Sequence, residues 1–365
     1  MKPIISDKKT KKLIFGKIFL DKSVFRQYTY SYKQKKDHSP MTQKEIAKAL
    51  NITQAAVSMA LKGSKRISPT LRQSVHELAA NTGYRPNLAG QMLRRKRSNV
   101  IGAVFPRLSN QFYAELFQEI QKHLLPHGYM LYSAPAEKPE ELEKVVENLR
   151  QMSVAGVIAF AAREFHPLLA LREAGIALVL YGGDDKLNAG ASQVLPDRFN
   201  ASLKLMRSLI ADGRRNIVFF GSTSRKEQRV QAYTTALAEA GLKPVCIPQK
   251  GDSCRSAMET AFDTMKEYLA EHPETDAVFA HNDELALAVK RAIMSSGRSI
   301  PGDIALAGFD NIPVGNYLTP SLTTIEQPLG MIADALITEL LATIRDPSHA
   351  RFVSVPCSIV FREST

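Results

Sequence analysis

Thr53-Gln54-Ala55 and Ser58-Met59 stand in one short segment, and their chemistry suits nucleic-acid readout. A glutamine such as Gln54 can read adenine through two hydrogen bonds, while Ala55 and Met59 can meet a thymine methyl. The hydroxyls of Thr53 and Ser58 suit phosphate oxygens, contacts that position a protein on DNA without specifying sequence. Farther along, the stretch Tyr84 to Leu93, with an apolar edge, runs into Arg94-Arg95-Lys96-Arg97. Alone, that basic run would read as a solvated linker. Directly after a DNA-reading segment it becomes a second contact for a polyanion. Catalytic spacings are missing: the chain has no P-loop, no GxSxG elbow, no dinucleotide fingerprint and no metal-ligand pattern. Two carboxylates and an arginine in a crevice would be consistent with binding alone, so no enzyme and no cofactor is expected. Cys246, Cys254 and Cys357 lack CxxC or Cys/His spacing. They read as reduced, partly buried thiols of a cytoplasmic protein, with neither disulfide nor metal.

The elements that must hold these side chains are legible in the local pattern. Thr42-Gln43-Lys44-Glu45 is a capping box, with Ile46, Ala47 and Leu50 on one face behind it and Asn51 as a stop. Thr53 caps a second helix with Val57 and Leu61 inward, closed by Gly63. Ser68-Pro69 starts a third, striped by Leu71, Val75, Leu78 and Ala79 and closed by Gly83. Three short helices within 45 residues predict a compact helix-turn-helix domain over 41–84, with the N-terminal end of its second helix at the bases. Residues 85–98 follow as a hinge and linker.

Charge agrees with that division. Residues 1–98 hold 22 Lys and Arg against 5 Asp and Glu, while residues 99–365 hold 26 against 31, so the net +12 belongs to the first quarter of the chain. A basic domain on a mildly acidic body needs a polyanion partner only for the first. From Asn99 the rhythm becomes strand, helix, strand. Apolar runs at Val100–Phe105, Met130–Ser133, Val157–Ala161, Ala177–Tyr181, Ile217–Phe220, Ala277–Ala280 and Ile304–Phe309 alternate with amphipathic stretches such as Phe112–His127 and Ala201–Asp212. That alternation predicts parallel sheets covered by helices, in two α/β lobes, with a ligand crevice at the carboxyl ends of the strands. No run of eighteen apolar residues exists to span a membrane.

Residues 41–345 resemble the LacI/GalR family of bacterial transcription regulators. The resemblance rests on "IAKALNITQAAVSMALKGSKRIS", "GYRPN", "AHNDELAL", "IPGDIALAGFDNIP" and "YLTPSLTTIEQP" in that order. It implies an α+β multidomain chain: an all-α helix-turn-helix headpiece, a hinge helix, and a two-lobed core like periplasmic sugar-binding proteins. Lobe 1 would take about 99–195 and 326–345, lobe 2 about 196–325, and residues 346–365 would form C-terminal strands or a tail. The function implied is that of a regulator, most simply a repressor, whose grip on operator DNA a small polar ligand controls, most simply a sugar. The partners implied are double-stranded pseudo-palindromic operator DNA, that effector, and a second copy of the chain in a homodimer or a tetramer. In the hinge, Leu93 matches a leucine that wedges into the minor groove, and Arg85 and Asn87 flank the hinge start. In the core, Phe112 and Tyr113 match aromatic effector positions. Arg229 matches the arginine of an "RxxGYxxAL" motif, Asn282 and Asp310 match polar residues that end two strands, and Asp197 matches a further acidic position. Asp283, beside Asn282, reads equally as a helix cap.

This chain departs from the family pattern in places. Met59 replaces a guanine-reading arginine, Gly90 a hinge alanine, and Ala232 the motif's glycine. Gly251-Asp252-Ser253 stands where relatives often stack an aromatic ring on the ligand, which leaves ring stacking to Phe112 and Tyr113. Residues 1–40 are Lys-rich and have no family counterpart. Either translation starts at Met41, or the segment is a basic arm that adds phosphate contacts. A transport component with the same two lobes would need an export signal and no helix-turn-helix, and the sequence fits neither demand.

Overall fold

The computed structural model describes residues 41–85, 98–160, 166–182, 190–249 and 256–365. The chain divides into two compact units, Met1–Arg94 and Arg95–Thr365.

Among the described residues of the first unit three helices follow one another: α1 (Gln43–Ala49), α2 (Gln54–Leu61) and α3 (Pro69–Asn81). The capping box forms reciprocally. Thr42 Oγ1 accepts from the Glu45 amide at 3.3 Å, and Glu45 Oε2 accepts from the Thr42 amide at 2.7 Å. Thr53 and Ser68 cap α2 and α3 through the amides of Ala56 and Leu71. Asn51 turns the chain at φ 49° between α1 and α2, a conformation asparagine tolerates better than most side chains. Ile46, Val57, Ala60, Val75 and Leu78 are buried together. Each of the larger ones contributes about 1.5–3 kcal/mol of burial, which such short helices need because propensity alone would not hold them.

The second unit contains two parallel sheets. The first has the order β11-β5-β4-β3-β1-β2, built from β1 (Val100–Phe105), β2 (Met130–Pro135), β3 (Gly156–Phe160), β4 (Ala177–Tyr181), β5 (Ser192–Asp197) and β11 (Phe352–Pro356). All its pairings are parallel. Every residue of β1, β3 and β4 is buried, as strands covered on both faces must be. The second sheet has the order β7-β6-β8-β9, from β6 (Ile217–Gly221), β7 (Val245–Pro248), β8 (Ala277–Ala280) and β9 (Ala305–Ala307). A separate antiparallel pair joins β10 (Thr324–Glu326) to β12 (Ser358–Val360).

Helices α4 (Gln111–Leu124), α5 (Pro139–Gln151), α6 (His166–Glu173) and α11 (Leu329–Arg345) belong with the first sheet, and α7 (Arg198–Ala211), α8 (Gln228–Glu239), α9 (Ala257–Glu271) and α10 (Asp283–Ser295) with the second. The core of lobe 1 gathers Ile101, Phe105, Leu116, Phe160 and Leu336, and that of lobe 2 divides over its sheet's two faces around Phe220 and Phe219. The chain passes between the lobes three times: from β5 into α7, from β10 into α11, and between β11 and β12. Residues 346–365 therefore give one strand to each lobe.

Two of the expected elements end earlier than their apolar runs. The helix expected over Phe112–His127 ends as α-helix at Leu124 and tightens into a 3-10 turn, Leu125–His127, because Pro126 lacks the amide that would continue the ladder. The strand expected over Ile304–Phe309 is only Ala305–Ala307. Beyond it the Gly308 and Asp310 amides donate to Thr323 and Ile325, drawing the chain toward the segment that contains β10.

Candidate functional site

In the headpiece, Thr53, Gln54 and Ala55 are exposed at the start of α2, while Ser58 and Met59 one turn on are half-buried. Met59 packs against the apolar cluster beneath the helix, so part of its side chain serves the core. Thr53 Oγ1 is engaged as the cap of α2. Arg85 is exposed past the end of α3. Lys44, Lys48, Lys62, Lys65 and Arg66 of the same headpiece are exposed. Asn87 and Leu93 lie outside the described residues, as do Cys254 and Gly251-Asp252-Ser253.

In the core, the expected residues divide into those that converge and those that do not. Asp310 follows β9 at φ 112°, in backbone that L side chains rarely adopt, and Asn311 follows at 55°. Its Oδ1 accepts from Gln327 Nε2 at 2.6 Å, and Gln327 Oε1 accepts from the Tyr181 hydroxyl at 2.5 Å. This relay ties the end of β4 in lobe 1 to the end of β9 in lobe 2. Burial raises the Asp310 carboxyl, the Arg229 charge offsets part of that, and the group is pushed up to about 6.

Arg229, in the first turn of α8, is nearly fully buried. Its Nε donates to Glu227 Oε1 at 2.8 Å, one terminal nitrogen donates to the His281 carbonyl and the other meets His281 Nε2 at 2.8 Å. Its guanidinium carbon sits 4.7 Å from the Phe309 ring centroid. Burial would raise Glu227, but the charges of Arg229, His281 and Arg198 outweigh it and hold the carboxyl down at about 2.

Tyr113, the half-buried second residue after Gln111 on α4, lies within electrostatic reach of Arg198, Asp310, Arg229 and Arg107. Burial raises its phenol, which keeps it a neutral donor. Phe112 points into the lobe 1 core with Phe105 and Tyr181 and is buried. Asp197 caps α7 through the Asn200 amide at 3.1 Å and also receives the Asn200 side chain at 2.8 Å. The choice between Asn282 and Asp283 as the cap of α10 falls to Asn282, whose Oδ1 accepts from Leu285 at 2.9 Å. Asp283 is fully buried instead. It accepts from the Ile312 amide at 2.9 Å and the Thr324 hydroxyl at 2.6 Å, and burial pushes it up to about 8. It is the strut that fixes the Asp310 turn from beneath.

Further polar contacts join the lobes. Asn110 Nδ2 donates to Glu284 Oε2 at 2.9 Å, with Arg107 3.8 Å from the same oxygen. Sequence reasoning missed Tyr181, Arg198, Glu227, His281 and Gln327. For Arg198 a signal existed: a cation directly after a capping aspartate at the crossing from β5 to α7. Gln327 carried none, since only folding sets it between Tyr181 and Asp310.

An α-helical headpiece followed by two parallel-sheet lobes with a polar cluster between them defines a DNA-binding regulator with a periplasmic-binding-protein-like core. Residues 206–365 match the family described as periplasmic binding protein-like domain. The regulator DegA of Bacillus subtilis (strain 168) is 30% identical over 298 residues, 78% of this chain and 86% of that protein. Catabolite control protein A of Priestia megaterium is 28% identical over 333 residues, 88% of this chain and 98% of that protein. Among solved structures, the lac repressor dimer bound to operator and an anti-inducer superposes with a TM-score of 0.77 at 22% identity, covering 90% of this chain and 99% of that one. The chain belongs to the LacI/GalR family of transcriptional regulators.

Proposed function

We propose that this regulator reads a pseudo-palindromic operator as a homodimer and that a small polar ligand, most simply a sugar, held between its lobes sets the affinity. On the DNA side, Gln54, Ala55 and Met59 read base edges, Thr53, Ser58, Arg85 and Asn87 meet the backbone, and Leu93 wedges the minor groove. The division of labour follows: a headpiece over 41–84, a hinge over 85–98 and a cytoplasmic sensing core from 99 onward. On the ligand side, Asp310 accepts hydroxyls, Asn282 donates its side-chain amide, Tyr113 closes the lobe 1 wall, and Arg229 orients the floor. Phe112 and Asp197 support this wall rather than touch ligand. The role is binding without turnover.

The observation that carries this reading is the hydrogen-bonded relay from Tyr181 of lobe 1 through Gln327 to Asp310 of lobe 2. Groups on two lobes can favour one closure angle, and a ligand that binds one closure better shifts the equilibrium. Two solved relatives carry sugars, one described as a regulator–cellobiose complex and one with bound ribose. The test is selection of DNA sites by the purified full chain, repeated with a panel of sugars. The expected outcome is a two-fold symmetric site whose half-sites lie about one helical turn apart, with recovery changed by one of the sugars. Recovery of no symmetric site would overturn the reading.

A further inference from the structure

Three arginines border the cleft, and two of them are spent. Arg229 gives its donors to Glu227 and His281. Glu227 in turn is used up, accepting from the amides of Arg229 and Val230 as well. Arg107 lies between Glu137 at 3.9 Å and Glu284 at 3.8 Å. Arg198 differs. Among the described residues no carboxylate approaches it within salt-bridge distance, although Asp197 is its neighbour in sequence, because Asp197 is turned to Asn200. Its Nε is shielded from solvent without a hydrogen-bond partner. The Tyr181 ring lies 5.9 Å from its guanidinium carbon, and the turn at Gly182 presses so close that a methyl there would meet a terminal nitrogen at 3.2 Å.

A half-buried guanidinium flanked by a phenol and a glycine turn bears a desolvation cost that, among the described residues, the field of Glu227 offsets from beyond ion-pair distance. The same cation lies within electrostatic reach of Tyr113, Tyr181 and Asp310, the groups that define the cleft. The cleft is therefore polarised, with acceptors at Asp310 and, at Arg198, a planar donor that no carboxylate among the described residues pairs directly. We propose that Arg198 is an anion-binding residue of the effector cleft, and that the effector is a polyol bearing a carboxylate or a phosphate. The hydroxyls would meet Asp310 and Asn282, and the anion would take the forked donors of Arg198, which match either group. This rests on the effector reading above and specifies its ligand class.

The test is calorimetric binding of the purified full chain to D-glucose, D-gluconate, D-glucuronate and glucose-6-phosphate. The expected result is that at least one anion binds roughly tenfold or more tighter than glucose, with the preference shrinking as salt rises. Gluconate and glucuronate against the phosphate ester distinguish the two anion sources. Arg198→Gln is expected to erase most of that preference, and Arg198→Lys to keep part of it because the charge survives without the fork. Should Arg198→Gln fail to fold, the salt dependence of the wild type and the Arg198→Lys protein decide. Glucose binding as tightly as every anion, or an anion preference that survives Arg198→Gln, overturns the inference and leaves the effector site standing. Binding of none of these compounds would take down the effector reading itself, and the inference with it.

Discussion

Gln54 and Ala55 project from the first turn of a helix held by neighbours within about 40 residues of chain, and each rests on a cap and an apolar stripe of its own. The cleft is assembled the opposite way. Tyr113, Arg198, Arg229, Asp310 and Gln327 come from five elements spread over more than two hundred residues, and Asp310 and Arg229 are held by side chains from other parts of the chain, Gln327 and His281. A reading head of the first kind tolerates change one side chain at a time, because exposed residues can vary without disturbing what lies beneath. A cleft of the second kind couples recognition to stability. Damage there should spread to the fold, while damage in the headpiece should stay in DNA binding.

The largest effect is expected from Arg229→Ala. It leaves the mostly buried Glu227 carboxylate without its ion pair and strips the Phe309 face, so the second unit should lose about 3–5 kcal/mol in denaturant unfolding. A loss confined to ligand binding, with the unfolding midpoint unchanged, would break the contrast between the regions.

The next effect is a pH dependence. Asp283 holds its proton in the folded chain up to about pH 8, against an ordinary aspartate value near 3.8. The folded state then binds more protons than the unfolded one across that window, so stability is greatest at the acid end and falls as pH rises toward 8. Asp310, pushed up to about 6, adds to the same slope. Glu227, held at about 2, acts oppositely: its contribution is complete above the ordinary glutamate range and is lost only as pH falls toward 2. Asp283→Asn should flatten the fall in Tm of the second unit between pH 5 and pH 8. An unchanged slope would show that the buried carboxyl is not its source.

Smaller and confined to DNA is Gln54→Ala, expected to cost about 1–3 kcal/mol on a selected operator while low-salt binding to unrelated DNA stays intact. Ligand affinity should not move. Equal loss on both DNAs would make Gln54 a backbone contact. Smallest is Thr42→Ala, which breaks the capping box of α1 and should lower headpiece stability by about 1 kcal/mol without changing operator sequence preference. Hydrogen exchange on α1 amides would register it.

The same contrast explains what was legible in the sequence. Caps, helix periods and closing glycines act over three to five residues, so the headpiece helices could be placed from Thr42, Thr53 and Ser68 directly. The buried strands β1, β4 and β8 were visible as apolar runs because both their faces are covered. β5 and β11 were not, since β5 contains Pro196 and β11 alternates exposed with buried positions at the sheet edge. In the cleft, motif resemblance supplied Tyr113, Arg229, Asn282 and Asp310. No pattern in the chain reveals that Asp283 would be buried beneath Asp310 while Asn282 takes the cap, or that Gln327 would bridge to Tyr181. Those assignments depend on contacts across 17 to 146 residues.

The central claim, that a ligand in the cleft governs the headpiece's grip on DNA, is tested most directly by one titration. Operator affinity on a selected site is measured for the wild type and for Asp310→Asn, with and without a sugar or sugar anion that the wild type binds. The ligand is expected to change wild-type affinity by roughly fivefold or more. Asp310→Asn should abolish that change while its ligand-free affinity stays within about twofold of wild type, a difference of no more than about half a kcal/mol. A ligand effect of full size in Asp310→Asn, or none in the wild type with the ligand bound, would contradict it.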